Sequence, residues 1–404
     1  MDPELVNRLA DLIVRAGANV QPGQPVFIVA DIAHAEIVRA VVEQAYAAGS
    51  GLVQVDWSDT HVRRSAVAHA TVEALSAPRS WVLDRYHTLG REGAAAIILA
   101  GDPEPGIMTG LDPAKVAAIP AEEENTRRRI FFSGGVTWTI VAAPNAGWAR
   151  QIFGEPDLDR LWQAVGVAMR LDEPDPVAAW RERSATLSAR AKALDALDLT
   201  SVRYLGEGTD LTVGLVPNTR WTGGGLVNAE GVDYLPNIPT EEVFTSPDRR
   251  VADGTITLTR PLVMRGGGMV EGLRVTFEGG RIVDVTATAG ADLVRSQLET
   301  DDGARSLGEV SLVDSDSRIA KAGLVFHDTL FDENAGCHVA WGQSFPFSIP
   351  GGTGMSLDER FELGLNRSAV HTDVVIGGAG MTVTGTGPGG TVDIIADDEW
   401  VLPA

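Results

Sequence analysis

Apolar residues in the first 150 positions form two patterns that alternate along the chain. Short apolar runs, which predict buried strands, lie at 26–30, 52–56 and 95–99. Helical spacing, which ends at a glycine in both cases, covers 5–16 and 34–48. Strands separated by helices indicate βαβ units, so we expect an N-terminal α/β domain with a largely parallel sheet.

The pattern changes after a predominantly helical stretch at 158–195. Residues 210–215, 255–259 and 273–277 alternate between apolar and polar positions as strands do, and glycine turns such as Gly266-Gly267-Gly268 separate them. We therefore expect the second half to form a β-rich α+β domain with a mostly antiparallel sheet.

The length of 404 residues exceeds one ordinary core, so two domains are expected. The predicted N-terminal domain covers 1–195 and includes the helical stretch as a bridge, and the predicted C-terminal domain covers 196–404. Near the end of the chain, Gly385 to Gly390 lacks the Gly-Lys-Ser/Thr ending of a phosphate loop and has strand-like residues on both sides. That run predicts a hairpin turn.

Composition narrows the classes of function. Hydrophobic residues make up 44% and charged residues 22%, which is typical of a globular chain. The net charge of −22 argues against nucleic acid as a partner, because phosphate binding needs a surplus of Lys and Arg, and it disfavours an anionic membrane surface. No apolar stretch approaches the length of a membrane span, and the N-terminus lacks the features of a signal peptide. The single cysteine, Cys337, is compatible with the reducing cytoplasm, which is the predicted location.

Three of the seven histidines, including His338 and His371, lie near the C-terminus beside acidic residues. In a strand, residues i and i+2 point to the same face, so His371 and Asp373 would project together towards a metal ion. The polar run that leads to His338 predicts a helix beginning near Asn334, which would place His338 in the first, relatively rigid turn.

Three more carboxylates stand in similar contexts. Glu241 and Glu242 are adjacent, so only one of them faces a given side of an extended chain. Glu309 lies in an apolar, strand-like run, where a carboxylate is costly to bury unless it is paired or bound to metal. Counting one of the adjacent pair, these segments supply three carboxylates and two imidazoles, the mixed oxygen and nitrogen set that two divalent ions such as Zn²⁺, Mn²⁺ or Co²⁺ use.

Four segments carry a family resemblance. They begin at Pro239, Thr300, Leu324 and Ser368 and have the sequences PTEEVFTSP, TDDGARSLGEVSLV, LVFHDTLFDENAGCHVAWGQSFP and SAVHTD. In order and spacing they resemble the signature blocks of the aminopeptidase T family, and weaker similarity covers nearly the whole chain. The resemblance implies a metallo-aminopeptidase that releases N-terminal residues from peptides and forms a homodimer.

The resemblance also implies which residues form the site. It assigns two divalent metal ions to five ligands, with Glu241 as the alternative to Glu242 if the alignment slips by one residue: Glu242, Glu309, His338, His371 and Asp373. A hydroxide that bridges the two ions would attack the first peptide carbonyl. Glu241 would act as the general base that carries the proton to the leaving amine.

Two residues depart from the family pattern and are expected in the substrate pocket. Phe345 stands seven residues after His338, where the family carries a tyrosine, and His327 stands where the family usually carries an aromatic residue. A missing phenol removes a hydrogen-bond donor worth about 10²–10³ in rate. His327 either replaces the phenol in part or packs in the core, and we favour the core histidine.

Three other interpretations stay open. His338, His371 and Asp373 would suit one Fe(II) in a ring-cleaving dioxygenase, since dihydroxypyridine dioxygenases resemble this family. A peptide- or amide-binding relative with low turnover is the second. The third is a Cys337 nucleophile paired with His338, although neighbouring residues rarely reach the geometry for attack.

Overall fold

The computed structural model describes residues 2–118, 120–264 and 268–403. Contacts within the chain divide it into two compact units, and the division falls inside one long helix. The first unit contains 2–182 and 225–240, and the second contains 183–224, 241–264 and 268–403. A domain boundary at residue 195 stays a prediction. Within the described ranges, no helix is long and apolar enough to cross a membrane.

Helices and strands alternate in the first half of the chain, and short strands dominate the second half. The helices are α1 (Pro3–Leu12), α2 (Ala35–Ala47), α3 (Thr60–His69), α4 (Val72–Ser76), α5 (Ser80–Arg91), α6 (Pro113–Ala117), α7 (Ala121–Phe131), α8 (Ala146–Phe153), α9 (Leu158–Ala168), α10 (Pro176–Ala196), α11 (Ala291–Gln297), α12 (Arg318–Ala322), α13 (Thr329–Asp332) and α14 (Leu357–Leu363). The strands are β1 (Val26–Asp31), β2 (Val53–Ser58), β3 (Ala95–Ala100), β4 (Thr137–Ala142), β5 (Ser201–Gly206), β6 (Thr209–Leu215), β7 (Thr222–Gly223), β8 (Leu226–Val227), β9 (Asp233–Tyr234), β10 (Asn237–Ile238), β11 (Val243–Thr245), β12 (Pro247–Thr257), β13 (Leu262–Val263), β14 (Met269–Val270), β15 (Arg274–Glu278), β16 (Arg281–Thr286), β17 (Leu307–Leu312), β18 (His338–Gly342), β19 (His371–Val375), β20 (Thr382–Gly387), β21 (Gly390–Ala396) and β22 (Glu399–Trp400).

The first unit contains a parallel sheet with the strand order β10-β4-β3-β1-β2. Consecutive residues of β1, β3 and β4 are buried, so both faces of these strands are covered, as expected in a parallel sheet. This confirms the predicted α/β class, and β1, β2 and β3 match the predicted runs to within two residues. The prediction missed β4, where Thr137 and Thr139 interrupt the apolar run although both are fully buried.

The predicted helices of the first unit are also confirmed. Asp2 precedes α1 and accepts a hydrogen bond from the amide of Glu4, and a proline occupies the first turn, so the sequence fixes where this helix begins. The helix predicted over 5–16 continues beyond α1 as a π-helical turn at Ile13–Gly17.

The second unit contains two antiparallel sheets, which confirms the predicted β-rich class. Their strand orders are β16-β15-β12-β6-β5-β20-β21-β22 and β19-β18-β17-β11-β7. The strand predicted at 255–259 overlaps the end of the longer β12, and Gly266 and Gly267 of the predicted turn lie outside the described residues. Gly387 pairs with Gly390 between β20 and β21, so the glycine-rich run is a hairpin turn as predicted.

Fully buried residues from both sheets form the core of the second unit. They include Tyr204 of β5, Phe277 of β15 and Trp341 of β18. The Tyr204 hydroxyl donates a hydrogen bond of 3.2 Å to the carbonyl oxygen of Ser311 in β17, which satisfies a buried polar group and ties the two sheets together. The five-stranded sheet is thereby held against the rest of its unit.

Candidate metal centre

One face of the five-stranded sheet is apolar. Across β17, β18 and β19, Val310 lies opposite Val339, and Val339 lies opposite Val374. All three side chains are fully buried in the core of the second unit. This face supplies the packing that fixes the three strands.

The other face carries polar side chains at the alternate positions. Glu309 lies opposite Ala340, which in turn lies opposite Asp373, and Ser311 lies opposite His338. Because alternate residues of a strand face opposite sides, these polar groups project together, away from the apolar core. Ala340 stands between Glu309 and Asp373, and its small methyl group leaves space between their carboxylates.

A bulge in β17 turns Glu309 towards the polar face. Leu307 pairs with Trp341 whereas Glu309 pairs with Ala340, so Gly308 is an extra residue in the strand. Leu307 can therefore face the core although it stands only two residues from Glu309. A side chain on Gly308 would collide with backbone oxygens at the end of β18, so only glycine fits there.

The predicted helix around His338 is wrong. A short 3-10 turn covers Glu333–Ala335, the chain then becomes extended, and His338 is the first residue of β18. Val339 and Trp341 pack in the core through the pairing with β17, and this burial outweighs the helix-start pattern around Asn334. His338 is thus positioned by a central strand.

Glu242, Glu309 and His338 form one group that could hold a metal ion. The Nε2 atom of His338 lies 3.0 Å from Oε2 of Glu242 and 3.8 Å from Oε1 of Glu309. Nδ1 of His338 lies 3.3 Å from the carbonyl oxygen of Gly336. The Ser311 hydroxyl donates a hydrogen bond of 2.8 Å to Oε2 of Glu242, which fixes that carboxylate.

Glu309, His371 and Asp373 form a second group. The Nε2 atom of His371 lies 3.2 Å from Oε2 of Glu309 and 3.5 Å from Oδ1 of Asp373. Nδ1 of His371 lies 2.8 Å from the carbonyl oxygen of Gln343. The strand predicted around His371 and Asp373 is confirmed as β19, and the two side chains lie on one face.

Burial and charge oppose each other in this cluster. Burial lowers the pKa of His338 and of His371, but hydrogen bonds to the neighbouring carboxylates and their charges outweigh it, so both pKa values lie well above the ordinary value of imidazole. Burial also raises the pKa of Glu242. For Asp373 burial acts in the same direction, yet the charge of His371, its hydrogen bond and the charge of His338 together outweigh burial and lower the pKa. The charges of the carboxylates therefore stabilise a cation that lies between them.

Divalent metal ions fit this set of donors. Within each group the carboxylate oxygens and the imidazole nitrogen lie within 4.8 Å of one another. When each histidine donates its Nδ1 proton to a backbone carbonyl, Nε2 is left as the free ligand atom, which is the usual arrangement around protein-bound metals. A cation here would also supply the positive charge that the buried carboxylates favour.

A profile of the thermophilic metalloprotease family (M29) matches residues 2–400. The chain belongs to this family. Aminopeptidase AmpS of Bacillus subtilis is 37% identical over 405 residues, which is 98% of each chain, and aminopeptidase T of Thermus thermophilus is 39% identical over 408 residues, again 98% of each. The solved structure of wild-type AmpT from Thermus thermophilus has a TM-score of 0.89 and 36% identity, and the match covers 98% of this chain and 99% of that one.

Membership of the metalloprotease family confirms the resemblance drawn from the four sequence blocks. It establishes a metal-dependent peptidase, a hydrolase, with the two-part fold described above. Nothing in these similarities supports the dioxygenase alternative.

The two adjacent glutamates of the metalloprotease stand in different surroundings. Glu242 belongs to the first group, whereas Oε2 of Glu241 lies 2.6 Å from Nε of Arg183 in a buried ion pair. The backbone amide of Glu241 also donates a hydrogen bond of 2.5 Å to Oδ1 of Asn334. The ligand role of Glu242 and the proton-carrying role of Glu241 stay predictions.

Glu333 is a nearby carboxyl group that the sequence interpretation did not place in the site. Its side chain is buried, and burial together with the charges of Asp373 and Glu242 raises its pKa well above the ordinary value. The sequence carried a signal for it, since Glu333 stands five residues before His338 in the same block. From the sequence alone, that polar run predicted only the start of a helix near Asn334.

The two predicted pocket residues differ in where they lie. The ring of Phe345 meets the imidazole of His371 edge-on, with 5.2 Å between the ring centroids. His327 has a positive φ of 53° in the segment between α12 and α13, and it lies near the buried carboxyl group of Asp332. A place for His327 in the substrate pocket stays a prediction.

Cys337 does not have the properties of a nucleophile. Its thiol is fully buried in the apolar core and donates a hydrogen bond of 3.4 Å to the carbonyl oxygen of Val313. Burial raises the pKa of the thiol to about 12, so the reactive thiolate is scarce near neutral pH. The side chains of Cys337 and His338 face opposite sides of the sheet.

Proposed function

We propose that this metalloprotease is an aminopeptidase that releases the first residue of peptides and holds two divalent ions, Zn²⁺, Co²⁺ or Mn²⁺. Glu242, Glu309 and His338 would hold one ion, and Glu309, His371 and Asp373 the other. The observation that carries the proposal is the shared position of Glu309, because Oε1 faces His338 and Oε2 faces His371. The aminopeptidase names of the full-length relatives support the substrate class.

Ions bound there would polarise the scissile carbonyl and make a water acidic enough to lose a proton near neutral pH. Other groups of the chain hold the metal-binding side chains in position. Backbone carbonyls fix the two imidazoles, and Ser311 fixes the Glu242 carboxylate. The free amine of a peptide would bind one of the ions or an acidic side chain beside them, and this requirement would favour removal of the first residue over internal cleavage.

A carboxyl group must carry a proton to the leaving amine, and two residues compete for this role. Glu241 is the residue expected from the sequence, and Glu333 is favoured because its buried carboxyl group lies near those of Asp373 and Glu242. Replacing the true proton carrier with glutamine should lower kcat by about 10²–10⁴ while both metals stay bound. We expect Glu241→Gln mainly to destabilise the fold, because it removes the nearer of the two buried carboxylates that pair with Arg183 and leaves only Asp314.

Metal content and substrate form test the proposal. We expect two ions per folded chain, complete loss of hydrolysis after strong chelation, and recovery when a divalent metal is added. Acetylating the amine of a peptide should reduce cleavage strongly, because the amine anchors the substrate. One ion per chain would contradict the two-metal part, and equal rates on free and blocked peptides would contradict the aminopeptidase part.

The proposal includes a homodimer in the cytoplasm. The dimer is supported by the family resemblance, and the reducing compartment by the single buried cysteine. A monomer in analytical ultracentrifugation at micromolar concentration, with full activity, would remove the dimer from the proposal.

A further inference from the structure

Three phenylalanines stand together beside the candidate metal centre. Phe345 contacts His371, as described above, and Phe347 stacks on Phe345 with 5.2 Å between ring centroids and 20° between the rings. Phe244 meets both of them edge-to-face, at 5.3 Å and 6.1 Å. We call Phe244, Phe345 and Phe347 the aromatic wall.

The strand register places the aromatic wall on the polar face of the five-stranded sheet. Phe244 of β11 lies opposite Ser311, and Ser311 lies opposite His338. Directly opposed residues project to the same side, so Phe244 points to the side that carries the metal-binding groups. All three rings of the wall are only half-buried, whereas the apolar residues of the other face are fully buried. Partly exposed apolar rings beside convergent polar groups are typical of a ligand pocket.

Buried hydroxyl groups hold the backbone of the aromatic wall in place. The amide of Phe345 donates a hydrogen bond of 2.9 Å to the hydroxyl of Ser246, and Ser348 donates one of 3.0 Å to the same oxygen. Ser246 and Ser348 are both fully buried. The wall is therefore fixed before a substrate arrives, which lowers the entropy cost of binding.

We infer that the aromatic wall lines the subsite for the side chain of the substrate's first residue, and that the preferred peptides begin with a large apolar residue, phenylalanine above leucine. The inference rests on the proposed aminopeptidase function. The amine and the scissile carbonyl of the first residue must both reach the charged cluster, so its side chain lies next to that cluster, where Phe345 contacts His371. A charged first residue would lose its hydration against the rings without a partner.

Rates on a series of aminoacyl 4-nitroanilides test the inference with the metal-loaded enzyme. We expect kcat/KM to fall in the order Phe, Leu, Ala, with Glu and Lys lowest, and the Phe-to-Ala ratio to reach about 10². Phe347→Ala should lower that ratio about tenfold, because it removes one ring of the wall, and Phe347→Leu should restore most of it. Phe361→Ala is the matched control, since Phe361 is also half-buried but packs against Arg249 and Arg367.

The outcomes separate this inference from the proposed function. No hydrolysis of any aminoacyl substrate by the metal-loaded wild type would overturn the aminopeptidase function itself. Hydrolysis with no preference for large apolar residues, or a Phe-to-Ala ratio that Phe347→Ala leaves unchanged, would overturn the subsite alone. Equal losses on every substrate would also overturn it, because they would show that Phe347 only supports the fold. Metal content and thermal unfolding, measured on each variant, confirm that the ratios come from folded, loaded protein.

Discussion

The two faces of the five-stranded sheet are formed by the same strands, but one face carries apolar side chains and the other carries charged ones. On one face Val310, Val339 and Val374 are fully buried among apolar neighbours. On the other face, His338 and Asp373, the neighbours of Val339 and Val374 in the chain, belong to a charged cluster of carboxylates and imidazoles. The difference between the faces arises from alternation along the strands and from the bulge in β17.

The two faces depend on different kinds of interaction. The apolar face is stabilised by the area it removes from water and tolerates exchanges that conserve volume. The polar face depends on a few atoms at defined positions, and its buried carboxylates are costly without a compensating cation. We therefore expect mutations on the apolar face to change stability, and mutations on the polar face to change metal binding.

The largest effect is expected from His338→Ala on the polar face. It removes one ligand from the first group, so we expect loss of bound metal and a fall in kcat/KM of about 10³ or more, since a Lewis acid contributes several kcal/mol to the transition state. Metal analysis and peptide hydrolysis measure the two effects. An active variant with its full metal content would show that the ligand assignment is wrong.

Leu312→Ala is the counterpart on the apolar face. Leu312 ends β17 with 1% of its surface exposed, and its truncation should lower the free energy of unfolding by about 2–5 kcal/mol. Urea denaturation of the metal-free and metal-loaded protein gives this value. Metal content per folded chain should stay at the wild-type level, and a loss of metal would mean that the two faces are not independent.

Ser311→Ala changes the polar face at a position between two apolar residues of β17, since the Ser311 side chain lies on the polar face. Losing its hydrogen bond to Glu242 should weaken metal affinity about 10–100-fold with little change in stability. Ser311→Thr keeps the hydroxyl and should recover most of the affinity. Competition with a chromogenic chelator measures the affinities, and unchanged binding in Ser311→Ala would remove Ser311 from the metal centre.

The smallest effect is expected from Cys337→Ser. Cys337 precedes His338 directly but faces the apolar side, so kcat/KM should stay within about threefold of the wild-type value, a difference below 1 kcal/mol. Because burial raises the pKa of this thiol to about 12, at pH 8–9 it stays protonated in the folded chain and ionises readily only after unfolding. A thiol-reactive dye should therefore label the protein only in denaturant. Rapid labelling of the native protein with loss of activity would reopen a role for the thiol.

Local patterns in the sequence determined much of the fold and part of the site. Apolar runs predicted β1, β2 and β3, glycines marked the ends of two helices, and the run from Gly385 to Gly390 predicted a hairpin. The spacing of His371 and Asp373 predicted that both face one side of a strand, because that relation depends only on two neighbouring residues. The four blocks were enough to identify the family.

The way in which distant segments meet depends on long-range packing. His338 belongs to a strand because pairing with β17 and burial of Trp341 outweigh a local helix-start pattern, and no local rule contains that competition. The bulge at Gly308 and the different partners of Glu241 and Glu242 likewise depend on residues far away in the chain. The sequence thus determined which chemical groups the protein has and the local geometry of their segments. The register between strands, set by long-range packing, decided which of those groups share a site.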